Sequence, residues 1–285
     1  MAKTEVAEVE EKNTVVGSYD YGEDAGTGFE DTKSSDLSIP FINVLQSNSP
    51  EIEEEQIPGA KVGDMLNTVT GELIKADKGF CFIPCHKQEA WVEWVPRVRG
   101  GGFVGLHDPA GELVQGVIKA NGGSRIPPKG SDGKRISFKN GPNELIETYY
   151  VYGLICNAEG TEVEGFAVIS FSSTKIKPYR DWLTSMFIIK GKPPMFANRA
   201  VIKTVKQKNE SGTFANFSIS PLKETWAKSL INPSTERNLL EEARDFREMV
   251  ISGVARADFQ QQDAGGAEGG AGGGAGGGDT DEAPF

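Results

Sequence analysis

The sequence predicts a mainly β domain with helices, a five-stranded barrel-like body between acidic arms. Three observations predict it. Runs rich in Val, Ile, Tyr and Phe recur between turn clusters. An apolar repeat of helical period falls between the third and fourth long runs. Both ends of the chain lack the apolar content needed to pack. At 285 residues the chain has ample length for a sizeable core.

Residues 1–36 are acidic and rich in Gly, Ser and Thr, which predicts a disordered arm. Order is expected from Leu37–Leu45, an apolar run able to enter the body that extends to residue 259. Glu51–Glu55 reads as an acidic loop, and Val69-Thr70-Gly71 as the turn of a short hairpin. Phe80–Val95 predicts the first long strand, or a bent pair, with Pro84 marking an edge or a bulge. Glycine and proline dominate residues 96–142, read as a long insertion with one short strand at Leu113–Lys119.

Leu145–Cys156 and Val163–Phe171 read as strands around the turn Asn157-Ala158-Glu159-Gly160. A helix follows, with Pro178 in its first turn and Tyr179, Trp182, Leu183 and Met186 at i, i+3, i+4 and i+7. Ala200–Lys208 and Thr213–Ser220 predict a hairpin. A last helix, about residues 233–252, places Leu239, Ala243, Phe246 and Val250 on one face, with Gly253 past its end. A helix between the third and fourth of five strands is the order of an OB-fold, a small barrel that often binds single strands.

Net charge is −11, which by itself argues against a polyanion partner. Its distribution argues the reverse. The first 36 residues carry ten acidic and three cationic side chains, and the body from Lys61 to Phe259 is left at roughly +5. The excess gathers in Phe171–Phe217, where Lys175, Lys177, Arg180, Lys190, Lys192, Arg199, Lys203, Lys206 and Lys208 face Asp181 and Glu210. Rings interleave with these cations: Phe171, Tyr179, Trp182, Phe187, Phe196, Phe214 and Phe217. Positive charge serves phosphates and flat rings serve unstacked bases, so the pattern points to single-stranded nucleic acid.

Residues 260–278 collapse into Gly and Ala, the composition of a flexible linker. It ends in Asp279-Thr280-Asp281-Glu282-Ala283-Pro284-Phe285. This ending closely resembles the acidic, Pro-Phe-terminated tip of bacterial single-stranded DNA-binding proteins. Phage replication proteins of the same class also commonly end in acids and a terminal aromatic. The resemblance implies a phage-type single-stranded DNA-binding protein whose tip docks replication partners. Chemistry supports such docking: Phe285 can fill an apolar pocket while Asp279, Asp281 and Glu282, beside Pro284, meet a partner's Arg or Lys. Without a partner, the same acids can fold back on the basic body and compete with phosphate.

Strand alternation sorts the candidate DNA contacts. Phe217 is assigned to the core and Phe214 to stacking, together with Phe196 and Tyr179. Trp91 shares a face with Glu93 and is expected to be the exposed ring, while Trp182 lies on the apolar stripe. Tyr150 and Tyr152 share a face and form a candidate platform, and Arg97 and Arg99 beside three glycines form a candidate basic flap. Cys81, Cys85, His86, His107 and Cys156 match no zinc spacing, so no metal or other cofactor is expected. The GxxxxGK[ST], HExxH and nucleophile-elbow patterns are missing, and Gly130–Arg135 is a basic loop.

The expectation is therefore a non-enzymatic protein of phage DNA replication, recombination or repair. It would hold single-stranded DNA without strong sequence preference and recruit phage or host proteins through its tip. Self-association is compatible with this reading, and the sequence carries no separate mark of it. With no signal peptide and no apolar run of spanning length, a cytoplasmic, membrane-free location in the bacterial host is expected. Rival readings are an adaptor (a recombination mediator or transcription co-activator) and a nuclease using Asp108, Glu112, Glu144 and Glu147.

Overall fold

The computed structural model describes residues 27–28, 38–131, 135–209 and 212–262. The N-terminal arm, most of the Gly-rich linker and the acidic tip lie outside the described residues. The described chain is mixed α/β and mostly sheet.

Its spine is the antiparallel pair β5 (Phe80–Trp94) and β8 (Asn143–Cys156), in register from Cys81↔Cys156 to Trp94↔Glu144. Phe80–Val95 is thus one long strand. Pro84 has no N–H to give the ladder, and the register shifts between Pro84 and His86. Other strands add to both sides and both ends of this ribbon. β9 (Val163–Ser172) and β7 (Phe138–Asn140) pair with β8, and β6 (Phe103–His107) pairs with the end of β5. β10 (Ala200–Asn209) pairs with the start of β5 and forms a hairpin with β11 (Gly212–Pro221). Helix α3 (Ile176–Phe187) lies between β9 and β10, where the apolar period places it.

The expected five-stranded barrel does not close. The five long strands run in the order β9-β8-β5-β10-β11, and no β9–β11 pairing completes the circle among the described residues. The N-terminal segment intervenes. β1 (Ser38–Ile39) and β2 (Ile42–Val44) flank Phe41, which forms a parallel bridge to Val168 of β9, and the Val168 N–H donates to Pro40 O at 2.9 Å. Four residues after Ile42, the Gln46 side chain stands in for a peptide group against β11. Its Nε2 donates to Ala215 O and its Oε1 accepts from the Ala215 N–H, each at 3.0 Å. Edge groups of two strands are satisfied by one short segment.

β2 continues into a small sheet with β3 (Met65–Asn67) and β4 (Leu73–Ile74), the predicted short hairpin. Glu51–Glu55 is partly helical, α1 spanning Pro50–Glu53. Leu113–Lys119 is helix rather than strand: α2 (Glu112–Ala120) turns Leu113, Val114, Val117 and Ile118 onto Trp91, Phe138 and Leu145. A run this apolar fits either period, and the packing partners decide it.

Alternate residues of β8 feed two cores. Tyr150, Tyr152 and Leu154 pack with Leu239, Ala243 and Phe246 of α4 (Arg237–Ile251). Val151 packs on the other side with Tyr179, Trp182 and Met186 of α3. β12 (Arg256–Ala257) pairs parallel to β1, and Phe259 contacts the rings of Phe41, Phe103 and Tyr150. The body therefore runs past residue 259, as Tyr150 donates to Gln262 Oε1 at 2.8 Å.

Gly153 of β8 sits where the ribbon is tightest. A Cβ there would lie 2.2 Å from Ile83 O and 2.5 Å from the Phe82 ring, whereas one on Gly116 of α2 would meet nothing within 4 Å. Gly153→Ala should destabilise by about 2–4 kcal/mol, and Gly116→Ala should stabilise by about 0.5–1 kcal/mol. Urea unfolding of the two variants beside the parent chain checks both signs.

Candidate nucleic-acid interface

Helix α3 separates the basic stretch into a buried side and an exposed side. It is entered through a 3-10 turn, Ser173–Lys175, with Ser173 at φ 54°. Tyr179, Trp182 and Met186 turn inward, and Lys177, Arg180 and Asp181 outward. Facing the start of α3 is the loop at residues 125–131 and 135–137. Arg135 supports that loop by donating from Nη1 to Pro127 O at 3.1 Å. Between loop and helix lies a cleft of about 560 Å³ whose lining includes the cations Arg125, Arg135, Lys177 and Arg180. Ile126, Pro127, Phe138 and Ile146 supply apolar wall.

Acids temper this charge. Arg125 pairs with Glu147 at 2.8 Å and also with Glu89, and Lys177 Nζ is 3.6 Å from Asp181. Tyr149 donates to Glu147 at 2.7 Å, and its ring stacks on Tyr179 at 4.7 Å between centroids. Burial, and then the Glu147 carboxylate, push the Tyr149 hydroxyl up to about 12. Burial, with Tyr149 and Glu89 nearby, does the same for Tyr179. Both phenols therefore stay neutral donors at physiological pH.

Two further exposed cationic groups follow the cleft's helix in sequence. Lys203, Lys206 and Lys208 are exposed along β10, opposite Ser218, Ala215 and Thr213 of β11, with Phe214 half-buried. Past the far end of α3, Lys190 and Lys192 are exposed beside Phe187, and Lys192 Nζ lies 5.1 Å from the centre of that ring. Phe187 is 67 % exposed, a large ring available for contact that residue pattern alone did not select. Arg125 and Arg135 were also missed; their signal was a pair of cations bracketing Pro127-Pro128.

Several expected contacts are internal instead. Trp91 is fully buried, 5.1 Å from Phe138, because the insertion covers the face that alternation left open. Its neighbour Glu93 failed as a marker of exposure. That carboxylate is buried and accepts from Asn143 at 2.7 Å and Asn140 at 3.1 Å, with His107 Nε2 2.7 Å away. Burial opposes its charge, but these hydrogen bonds outweigh burial and hold it below the usual carboxylate range. Tyr150 and Tyr152 are no platform: both are buried, and Tyr152 donates to Gln88 Oε1 at 2.9 Å. Tyr179 is buried in its stack, Lys175 is largely buried with Nζ 5.7 Å from the Phe217 ring centre, and Phe196 is half-buried beneath Arg244.

Arg199 is the largest correction. It is 1 % exposed and works as an internal strut. Its Nη1 donates to Gly160 O at 2.9 Å and Glu236 Oε1 at 2.6 Å, its Nη2 to Leu230 O at 3.0 Å, and its Nε to Ser229 O at 3.1 Å. One guanidinium thus ties the β8–β9 turn, the chain before α4 and the residue that caps α4. Arg99 remains exposed, donating to Pro142 O at 3.2 Å; only the backbone of Arg97, in the turn Arg97–Arg99, is described.

Cys81, Cys85 and Cys156 are buried, and the Cys85 thiol donates to Ile83 O at 3.3 Å. Among the described residues no group of three or more His, Cys, Asp or Glu side chains is placed to hold a metal ion. No helix among them is long and apolar enough to cross a membrane. Partner-docking residues Asp279, Asp281, Glu282, Pro284 and Phe285 lie outside the described residues.

The family model for Pam3 phage gp34-like protein matches residues 9–256. The chain belongs to this family. The match spans the whole described fold as far as the start of β12, so the cleft, α3 and the lysine-bearing hairpin all lie on family sequence. No curated protein and no solved structure matches the chain.

Arg199 and Glu236 make a pH-dependent contribution. Burial raises the Glu236 pKa, but Arg199 and the Asn232 N–H outweigh it and leave it below its usual 4.5. A carboxyl whose folded pKa is depressed stabilises above its unfolded pKa and loses that stability as pH falls through the folded value. Arg199→Ala should cost about 3–5 kcal/mol at neutral pH. Glu236→Gln should cost less, and its deficit should shrink as pH drops below the ordinary glutamate range. Denaturant melts of parent and variants across acid pH measure this.

Proposed function

We propose that this protein binds single-stranded DNA without strong sequence preference during phage DNA replication or recombination. It acts as a binding protein rather than an enzyme, and its acidic tip recruits replication or recombination proteins. The observation that carries the reading is the cleft at the start of α3, where Arg125, Arg135, Lys177 and Arg180 meet apolar walls. Such a groove attracts a phosphate chain and shelters the less polar faces of nucleotides. The strand order β9-β8-β5-β10-β11, with a helix between β9 and β10, supports an OB-fold-like body opened by the N-terminal segment. The family's phage name and the Pro-Phe ending support the setting.

Most rings of the basic stretch are buried, so charge rather than stacking should dominate binding. For single strands log affinity falls by about 0.7 per phosphate contact for each tenfold rise in salt. Removing Lys177 or Arg180 should therefore lower the salt slope by about 0.7 each. Labelled oligo(dT), a matched duplex and single-stranded RNA, titrated across a salt series, test this with the full chain, Lys177→Ala, Arg180→Ala and a chain ending at Gln262. Tight oligo(dT) binding with weak duplex binding, shallower slopes in both variants and a gain on truncation are expected. Weak, equal binding to all three, unchanged by substitution or truncation, would leave the adaptor reading in its place.

A further inference from the structure

Two exposed apolar features of opposite charge stand on opposite faces of the main sheet. The first is a knob at the end of α3. Phe187 is 67 % exposed and Ile188 is 74 % exposed, with exposed Lys190 and Lys192 immediately after them. The second is a groove of about 400 Å³ between α4 and β9. Leu154, Phe166, Phe246 and Met249 give it an apolar lining, and Glu242 and Asp245 lie along its α4 wall. Glu241 also lines it, paired with Arg237 at 2.7 Å, and no cation is among its lining residues. Phe166 and Met249 are 39 % and 42 % exposed, apolar surface a lone chain leaves in water.

We propose that the Phe187–Lys192 knob of one copy seats in the α4–β9 groove of a second copy. The groove accommodates a phenylalanine ring, and its acids face the two lysines that follow that ring. The chain's own acidic ending is a poorer occupant, because Asp279, Asp281 and Glu282 would meet acids. A chain cannot fill its own groove with its own knob. α3 packs on the face of β8 that carries Val151, and α4 packs on the face that carries Tyr150, Tyr152 and Leu154. The contact is therefore between unlike surfaces, and each added copy leaves one knob and one groove open. Rows of copies follow, in an arrangement suited to lining up along an extended strand. The inference does not need DNA, so it stands or falls apart from the binding reading.

Sedimentation velocity of the full chain, over a concentration series at low and high salt and without DNA, tests it. The parent should form a ladder of species that grows with concentration and shrinks with salt. Phe187→Asp removes the knob, and Glu242→Lys with Asp245→Lys reverses the groove's charge. Both sites are exposed, and circular dichroism checks that the folds are kept. Each variant alone should associate at least about tenfold more weakly. Mixed, they should give a one-to-one heterodimer and nothing larger, since a single working knob and a single working groove remain. A parent that stays monomeric throughout, a Phe187→Asp chain that assembles like the parent, or a mixture without heterodimer would each overturn the proposal.

Discussion

The structure depends on the β5–β8 ladder. Strands of fifteen and fourteen residues are long enough to carry other strands at both ends, so one ribbon supports the hairpin β10–β11, the insertion and β9. Helices cover both faces of this ribbon, so most of its residues face protein on either side, Lys87 and Gln88 in the middle of β5 being exposed. Two charged residues are found inside. Glu93 of β5 lies on a face that the insertion covers, and Arg199, just before β10, lies where the β8–β9 turn and the chain before α4 converge. Each is tolerated because it is hydrogen-bonded to several partners, since an unpaired buried charge would cost several kcal/mol.

The same constraint divides the basic stretch into scaffold and surface. Its rings mostly build the core around α3, Lys175 is drawn in over Phe217, and Arg199 is buried apart from them, against the chain before α4. Lys177, Arg180, Lys190, Lys192 and the hairpin lysines remain outside. The exposed side of the stretch is therefore cationic and offers few flat platforms. The two ends of α3 differ in chemistry. One lines a cleft with four cations, and the other presents the exposed Phe187 ring, with Lys192 over it and Lys190 exposed nearby.

The N-terminal segment and the chain around Phe259 close the fold jointly. Phe41 bridges β9, Gln46 satisfies β11, and β1 pairs with β12, so segments more than two hundred residues apart in sequence hold one another. Cost and benefit are both visible: the barrel stays open, yet the edges of β9 and β11 find partners near the opening.

Local signals determined a good deal of this protein. β-rich runs marked β5, β8, β9, β10 and β11. The i, i+3, i+4, i+7 pattern of Tyr179, Trp182, Leu183 and Met186 marked α3, and Leu239, Ala243 and Phe246 marked α4. Proline's missing N–H marked the bulge at Pro84. These features depend on the backbone and on side chains a few residues apart, which a sequence displays directly. Tertiary structure alone decided which faces meet water. Alternation states that Trp91 and Glu93 share a side, but only the insertion folding over that side buries both. Charge states that Arg199 is cationic, but only the convergence of Gly160, Ser229, Leu230 and Glu236 turns it inward. The cleft has the same origin: Arg125 and Arg135 stand about fifty residues from Lys177 and Arg180, and loop-to-helix packing brings them together.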